Sequence, residues 1–192
     1  MSKYRIIVLA YSTLDGITQD PDGRDGTSNG GWLFRHGPEV VTGDKFDLGP
    51  ILKTGVTVYG RKTWQAFSQF WPGRSDDFSN ALNRIPKLVA TRTLTDLSAW
   101  PNSSRIEGDL LDAIERQKAE RDVVVIGSAS VVHALARKGR VDEYRISILP
   151  TVLGSGTRLF EAGVAPHDWR LASAERKGAA VLLRYERGTA AT

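Results

Sequence analysis

The chain has 192 residues, a net charge of +4, 41% hydrophobic and 25% charged residues, the make-up of an ordinary globular domain with room for one core. No apolar run approaches the length of a membrane span, and no Lys/Arg cluster is dense enough to argue for nucleic acid. The chain has no cysteine, which excludes disulfides, Cys-based zinc sites and thiol catalysis and agrees with a cytoplasmic setting.

Tyr4 to Tyr11 is a continuous apolar run, the pattern of a central buried strand. Ser12 to Gly16 ends it with turn residues, and Ile17-Thr18 briefly returns to strand. Asp20 to Gly31 is almost entirely Gly, Asp, Pro, Ser and Asn. It is a long loop, of the kind that forms lids or binding loops. Its spacing does not match a calcium loop, because Arg24 stands at a ligand position and Gly31 where a bidentate Glu belongs. Trp32 to Lys53 reads as helix with a break at Gly43 and Gly49-Pro50.

Thr54 to Tyr59 is a second strand and Arg61 to Phe70 a short helix. Ser75 to Arg84 is a further helix with Ser75 as N-cap. Lys87 to Thr91 is a third strand, Arg105-Ile106 a very short fourth, and Gly108 to Arg121 a helix. Arg121 to Gly139 then gives a buried strand (Val123 to Ile126), a turn at Gly127-Ser128, and an amphipathic helix that stops at Lys138-Gly139. Val141 to Leu149 alternates like a half-buried strand. Trp169 to Arg176 and Ala179 to Arg187 form an antiparallel pair. The expected fold is α/β in one domain, residues 1–188, with a tail at 189–192. Its sheet is central, mixed and mostly parallel, with an antiparallel C-terminal hairpin.

Three strand ends carry anion chemistry. Gly127-Ser128 opens a helix whose N-terminus favours an anion; an ordinary β–α turn would also need the glycine, and the full G-x-G-x-x-G fingerprint is absent. Gly60-Arg61-Lys62-Thr63 puts two cations at a helix start, where they oppose the macrodipole unless a polyanion binds or both reach solvent. Thr91-Arg92-Thr93 suits a phosphate monoester or a purine face, and equally a solvated strand end. Ligands in open α/β sheets sit outside the carboxyl ends of the strands. The three histidines share no metal spacing, and His133 reads as a packing or surface residue on its helix.

These motifs occur in a recognisable order: Ser12-Thr13-Leu14-Asp15-Gly16, Gly60-Arg61-Lys62-Thr63-Trp64, Thr91-Arg92-Thr93, Val125-Ile126-Gly127-Ser128, then Val141-Asp142-Glu143-Tyr144-Arg145 through Pro150 to Leu153-Gly154 and Leu159-Phe160. The chain resembles the dihydrofolate reductase-like superfamily over nearly its whole length. The resemblance is to the branch typified by the reductase domain of the bifunctional riboflavin-biosynthesis deaminase/reductase. The deaminase domain with its zinc ligands is missing.

The resemblance implies a three-layer fold with helices on both faces of the sheet, NADPH as hydride donor, a small-molecule substrate and a homodimer. It places Gly60, Arg61, Lys62 and Thr63 on phosphates, and Thr91 and Arg92 near the adenosine 2′-phosphate. Gly127, Ser128, Ala129, Ser130 and Val131 would line the pyrophosphate and nicotinamide, with Ala10 and Ile17 against the nicotinamide ring. Trp32 and Phe46 are candidate substrate walls. Asp44, or Asp15 near the loop, is the candidate catalytic carboxylate. Ser128 stands where folate reductases carry a second glycine and where a special peptide geometry is expected. The implied activity is reduction of 5-amino-6-(5-phosphoribosylamino)uracil, with dihydrofolate reduction and nucleotide binding without turnover as alternatives.

Overall fold

The computed structural model describes residues 3–164 and 166–188; the expected tail at 189–192 lies outside them. Eight strands form one sheet: β1 (Ile6–Thr13), β2 (Val56–Gly60), β3 (Lys87–Ala90), β4 (Ser103–Arg105), β5 (Val123–Val125), β6 (Glu143–Leu149), β7 (Trp169–Lys177) and β8 (Ala180–Arg187). Their spatial order is β4-β3-β2-β5-β1-β6-β8-β7. The six strands from β4 to β6 pair in parallel, and β8 and β7 join antiparallel at one edge.

Alternation along the strands divides the core between two faces, as the two-residue period of a strand requires. Ile6, Val8, Val58 and Val125 face Ile114 of α4 (Leu110–Lys118) and Val131, Val132 and Leu135 of α5 (Ala129–Arg137). Ile7, Leu9, Tyr59 and Val124 face the opposite way. They meet Leu52 of α1 (Ile51–Thr54), Trp64 of α2 (Arg61–Ser68) and Leu82 of α3 (Asp77–Arg84). Helices therefore cover both faces, giving the expected three layers.

Three local expectations change. Between Trp32 and Lys53 there is no long helix, only 3-10 turns at Trp32–His36 and Pro38–Val40 ahead of α1. Gly37, Gly43, Asp47 and Gly49 all take positive φ there, which a right-handed helix cannot accommodate. The cap of α3 is Asp76 rather than Ser75; its carboxylate accepts from the Ser79 amide at 3.0 Å. Finally, β6 is buried on both faces rather than one.

Its polar residues are buried as an ion cluster. Glu143, fully buried, meets Arg145 Nε at 2.6 Å and Arg184 Nε at 2.9 Å, and also pairs with Arg5. Arg145 extends the cluster outward by donating to the carbonyls of Phe46 and Asp47. The polar half of the sequence alternation thus fills the interior with paired charges, which is why it resembled a solvated face.

Candidate active-site cleft

β5 enters the sheet between β2 and β1, so the β2–α2 and β5–α5 turns lie side by side at the carboxyl edge. They touch directly: the Gly60 amide donates to the Gly127 carbonyl at 2.8 Å. A Cβ on Gly60 would stand 1.9 Å from Ser128 Oγ and 2.8 Å from the Ser128 nitrogen, so only glycine fits. The Gly127–Ser128 peptide is cis, the special geometry expected at this position.

The N-termini of α2 and α5 flank this contact. The helices α3 and α4 begin on aspartate caps, Asp76 and Asp109, whereas the one-turn α1 starts at Pro50 without a side-chain cap. Neither α2 nor α5 has a side-chain cap. In α5 the Val131 amide already donates to the Ser128 carbonyl at 3.0 Å, and at both helix starts the dipoles favour a negative acceptor.

A cleft of about 380 Å³ opens at this edge. Ala10, Lys62, Thr63, Gly127, Ser128, Ala129 and Ser130 line it, as does Phe46. The other expected cofactor residues, Gly60, Val131, Ile17, Arg61, Thr91 and Arg92, do not line it. Gly60 and Val131 are buried behind the two turns. Ile17 is fully buried and bridges to Arg158. Arg61 is exposed on α2 and donates to Gln65 Oε1 at 3.1 Å. Thr91 and Arg92 follow the end of β3, one strand beyond β2; Thr91 Oγ1 accepts from the amides of Thr93 and Leu94.

Three expected residues have other work. Trp32 is not a cleft wall: it is fully buried, packs with Leu149 and Ala180, and donates its indole N–H to the Gln19 carbonyl at 2.9 Å. The Asp44 carboxylate accepts from the amides of Leu48 and Gly49 at 2.8 and 2.7 Å, closing the turn into α1. Asp15 accepts from the Gly154 amide at 2.7 Å and from the Leu153 amide, tying the β1 turn to the segment after β6. Its acidity is raised by the Thr13 hydroxyl first and then by the Gly154 N–H. Neither carboxylate lines the cleft.

The Asp20–Gly31 loop roofs it. Asp20 is nearly buried and gathers the loop around its carboxylate, which accepts from the amides of Asp25 and Thr27 and from the Thr27 hydroxyl. Arg24 donates to the Ala66 carbonyl at 2.9 Å, and Asp25 meets Lys62 Nζ at 3.4 Å. Pro21, Asp22 and Asp25 present themselves to the cleft from this roof.

Sequence reading missed His133. It is buried on α5, lines the cleft, and has Nε2 2.9 Å from the Arg158 carbonyl and Nδ1 3.2 Å from a Glu161 carboxylate oxygen. Tyr11 was also missed as a wall residue. Its ring meets that of Phe46 edge-on at 5.0 Å, its hydroxyl donates to the Val40 carbonyl, and burial pushes the phenol pKa up. Only the helical spacing of His133 with the motif at Gly127-Ser128 could have marked it; its partners are distant in sequence.

Comparison with known proteins gives one consistent result. Residues 5–183 match the model of the RibD C-terminal domain. The uncharacterized protein YyaP of Bacillus subtilis is 31% identical over 167 residues, covering 83% of this chain and 82% of that protein. The uncharacterized protein YwjB of the same organism is 32% identical over 72 residues, 38% of this chain and 41% of that protein. A putative riboflavin biosynthesis protein from Shewanella sp. PV-4 superposes with a TM-score of 0.74 at 19% identity, covering 96% of this chain and 99% of that one. RibD of Acinetobacter baumannii gives a TM-score of 0.65 at 18% identity; the chain matches it over 96% of its own length but spans only 58% of that longer protein.

Proposed function

The chain belongs to the family of RibD C-terminal domains, and from that premise we propose that it is an NADPH-dependent reductase of a small heterocyclic substrate. The observation that carries the proposal is the pair of uncapped helix N-termini, α2 and α5, meeting at the Gly60–Gly127 contact. Two such termini with Lys62, Thr63, Ser128 and Ser130 beside them match the charge and hydrogen-bonding needs of a pyrophosphate. Gly60 lets the two turns close to the distance at which both can reach one anion.

In this reading Lys62 and the first-turn amides hold the pyrophosphate, and Thr91 and Arg92 hold the 2′-phosphate at the end of β3. Ala10 offers a flat wall beside which a nicotinamide ring fits. The bound dinucleotide supplies a hydride, and a proton from water completes the two-electron reduction of a C=N or C=O bond. The protein orients the two partners and keeps bulk water out, with the Asp20–Gly31 loop as roof. No step needs Asp44 or Asp15, since both carboxylates are engaged in the turns they close.

The test is a comparison of two nucleotides. Replacing Arg92→Ala removes one charge-assisted phosphate contact, so NADPH affinity should fall about ten-fold or more while NADH affinity barely moves. Fluorescence titration of both nucleotides measures this. Equal losses for the two would remove the 2′-phosphate assignment, and a protein that NADPH does not stabilise against heat would remove the reductase reading itself.

A further inference from the structure

The cleft is lined by the N-terminal end of α5. A second cavity, of about 770 Å³, opens at the other end of the same helix, beside Arg137 and Lys138. A space of this size suits a small organic ligand. Its walls are aromatic. Tyr144, on β6, meets the Phe160 ring edge-on at 5.2 Å and the Trp169 ring at 4.8 Å, and all three rings line the cavity. Phe160 is 46% exposed, so much of its ring is open to solvent. Tyr144 is only 3% exposed, and its hydroxyl has no hydrogen bond among the described residues. Burial pushes its pKa up to about 12, with Arg187 opposing, so the hydroxyl is a neutral O–H donor at ordinary pH.

The charge around these rings is positive. Arg137 is balanced by Glu161. Lys138 and Arg187 also line the cavity and enter no ion pair among the described residues. Arg187 donates to the carbonyls of Gly139 and Val141 and lies 5.7 Å from the Trp169 ring centroid. Those partners are neutral, so they orient the guanidinium without cancelling its charge. A cation just past the last turn of a helix suits the helix dipole, which accounts for Lys138. It does not account for a buried phenol without an acceptor and an open aromatic wall, both placed beside two uncompensated cations.

We propose that this cavity is a second ligand site, which takes a flat aromatic anion of the aryl-carboxylate kind. The ring of the ligand lies against Phe160 and Trp169 and gains from burial. Its charge faces Lys138 and Arg187, and the Tyr144 hydroxyl supplies a donor. The site is distinct from the cleft, so it stands or falls independently of the reductase reading.

The experiment uses the full chain without nucleotide, titrated by calorimetry with 2-naphthoate and with its uncharged counterpart 2-naphthamide. 2-Naphthoate should bind about ten-fold more tightly than 2-naphthamide. Lys138→Glu reverses an exposed charge and Phe160→Ala removes a half-exposed ring. Each should weaken 2-naphthoate several-fold in a protein whose thermal melt stays close to the parent's. Failure of 2-naphthoate to bind, equal binding of 2-naphthamide, or binding that Lys138→Glu leaves unchanged overturns the inference. A dimer that Phe160→Ala converts to a monomer would put a second copy of the chain over the cavity and overturn it as well.

Discussion

At residue scale, the described glycine with the least room for a side chain is Gly60, set against Ser128. The sequence shows Gly60 only as a residue between a strand and a helix. The structure shows that its missing side chain is the space in which the β5–α5 turn sits. Gly60→Ala would place a methyl on Ser128 Oγ and crowd the Ser128 amide. Overpacking of this kind costs about 1–3 kcal/mol, and here it would also push apart two helix starts that are proposed to share one anion. Gly60→Ala should therefore lower the melting temperature and weaken NADPH. Adding Ser128→Gly removes Oγ and Cβ and should recover part of both losses. Thermal melts and nucleotide titrations of the single and double variants measure this. A Gly60→Ala protein that melts and binds like the parent would contradict the contact.

At the scale of elements, β6 supports the cleft from a distance. Glu143 is fully buried and balances Arg5, Arg145 and Arg184, and Arg145 in turn holds the carbonyls of Phe46 and Asp47. Glu143→Gln preserves shape but leaves buried guanidinium charge uncompensated. Breaking a buried pair in this way costs about 3–5 kcal/mol. Denaturant unfolding should show a loss of that order, whereas a change below about 1 kcal/mol would mean that solvent reaches the cluster.

The same element shows what could be read in advance and what could not. The β2–α2 and β5–α5 junctions were legible because strand, glycine and helix are local patterns, and the parallel sheet followed from their alternation. The burial of β6 was not, because polar alternation looks the same whether the polar face meets water or a cluster of its own Arg145 with Arg5 and Arg184 from elsewhere in the chain. Asp15 was misread for a related reason. Its Gly154 partner lies 139 residues along the chain, beyond what residue spacing can show. Asp44 is a different case: its partners are local, at Leu48 and Gly49, but the positive-φ turn they form interrupts the expected helix. Trp32 was taken for a substrate wall; the loop before it instead folds back around Asp20, and the indole is buried and bonded to the Gln19 carbonyl.

At the scale of the whole molecule, four carboxylates make stability depend on acid. Asp15, Asp20, Asp76 and Asp96 all have pKa values below the usual 3.8. For Asp76 the Ser79 hydroxyl is the first cause and the Ser79 amide the second. For Asp20 burial works the other way, and the amide of Asp25 with the hydroxyl and amide of Thr27 outweigh it. In the unfolded chain each takes up its proton near the usual value, while the folded protein resists until the pH is lower. Between those two points the unfolded chain binds more protons, so the free energy of unfolding falls as the pH falls.

The contribution is complete above the unfolded value and is lost as acid passes through the folded ones. Three of these groups, Asp15, Asp20 and Asp76, close the β1 turn, the cleft roof and the start of α3, so their protonation loosens places on both sides of the sheet. Melting curves taken from about pH 5 down to about pH 3 should therefore steepen as this window is entered. Asp20→Asn should melt lower than the parent near neutral pH, by about 1–3 kcal/mol for the loss of a nearly buried charged acceptor. The gap should shrink toward acid, where the parent carboxylate is itself protonated. A constant gap across the whole range would show that Asp20 acts through its shape and not its charge, and the roof over the cleft would then be held by packing alone.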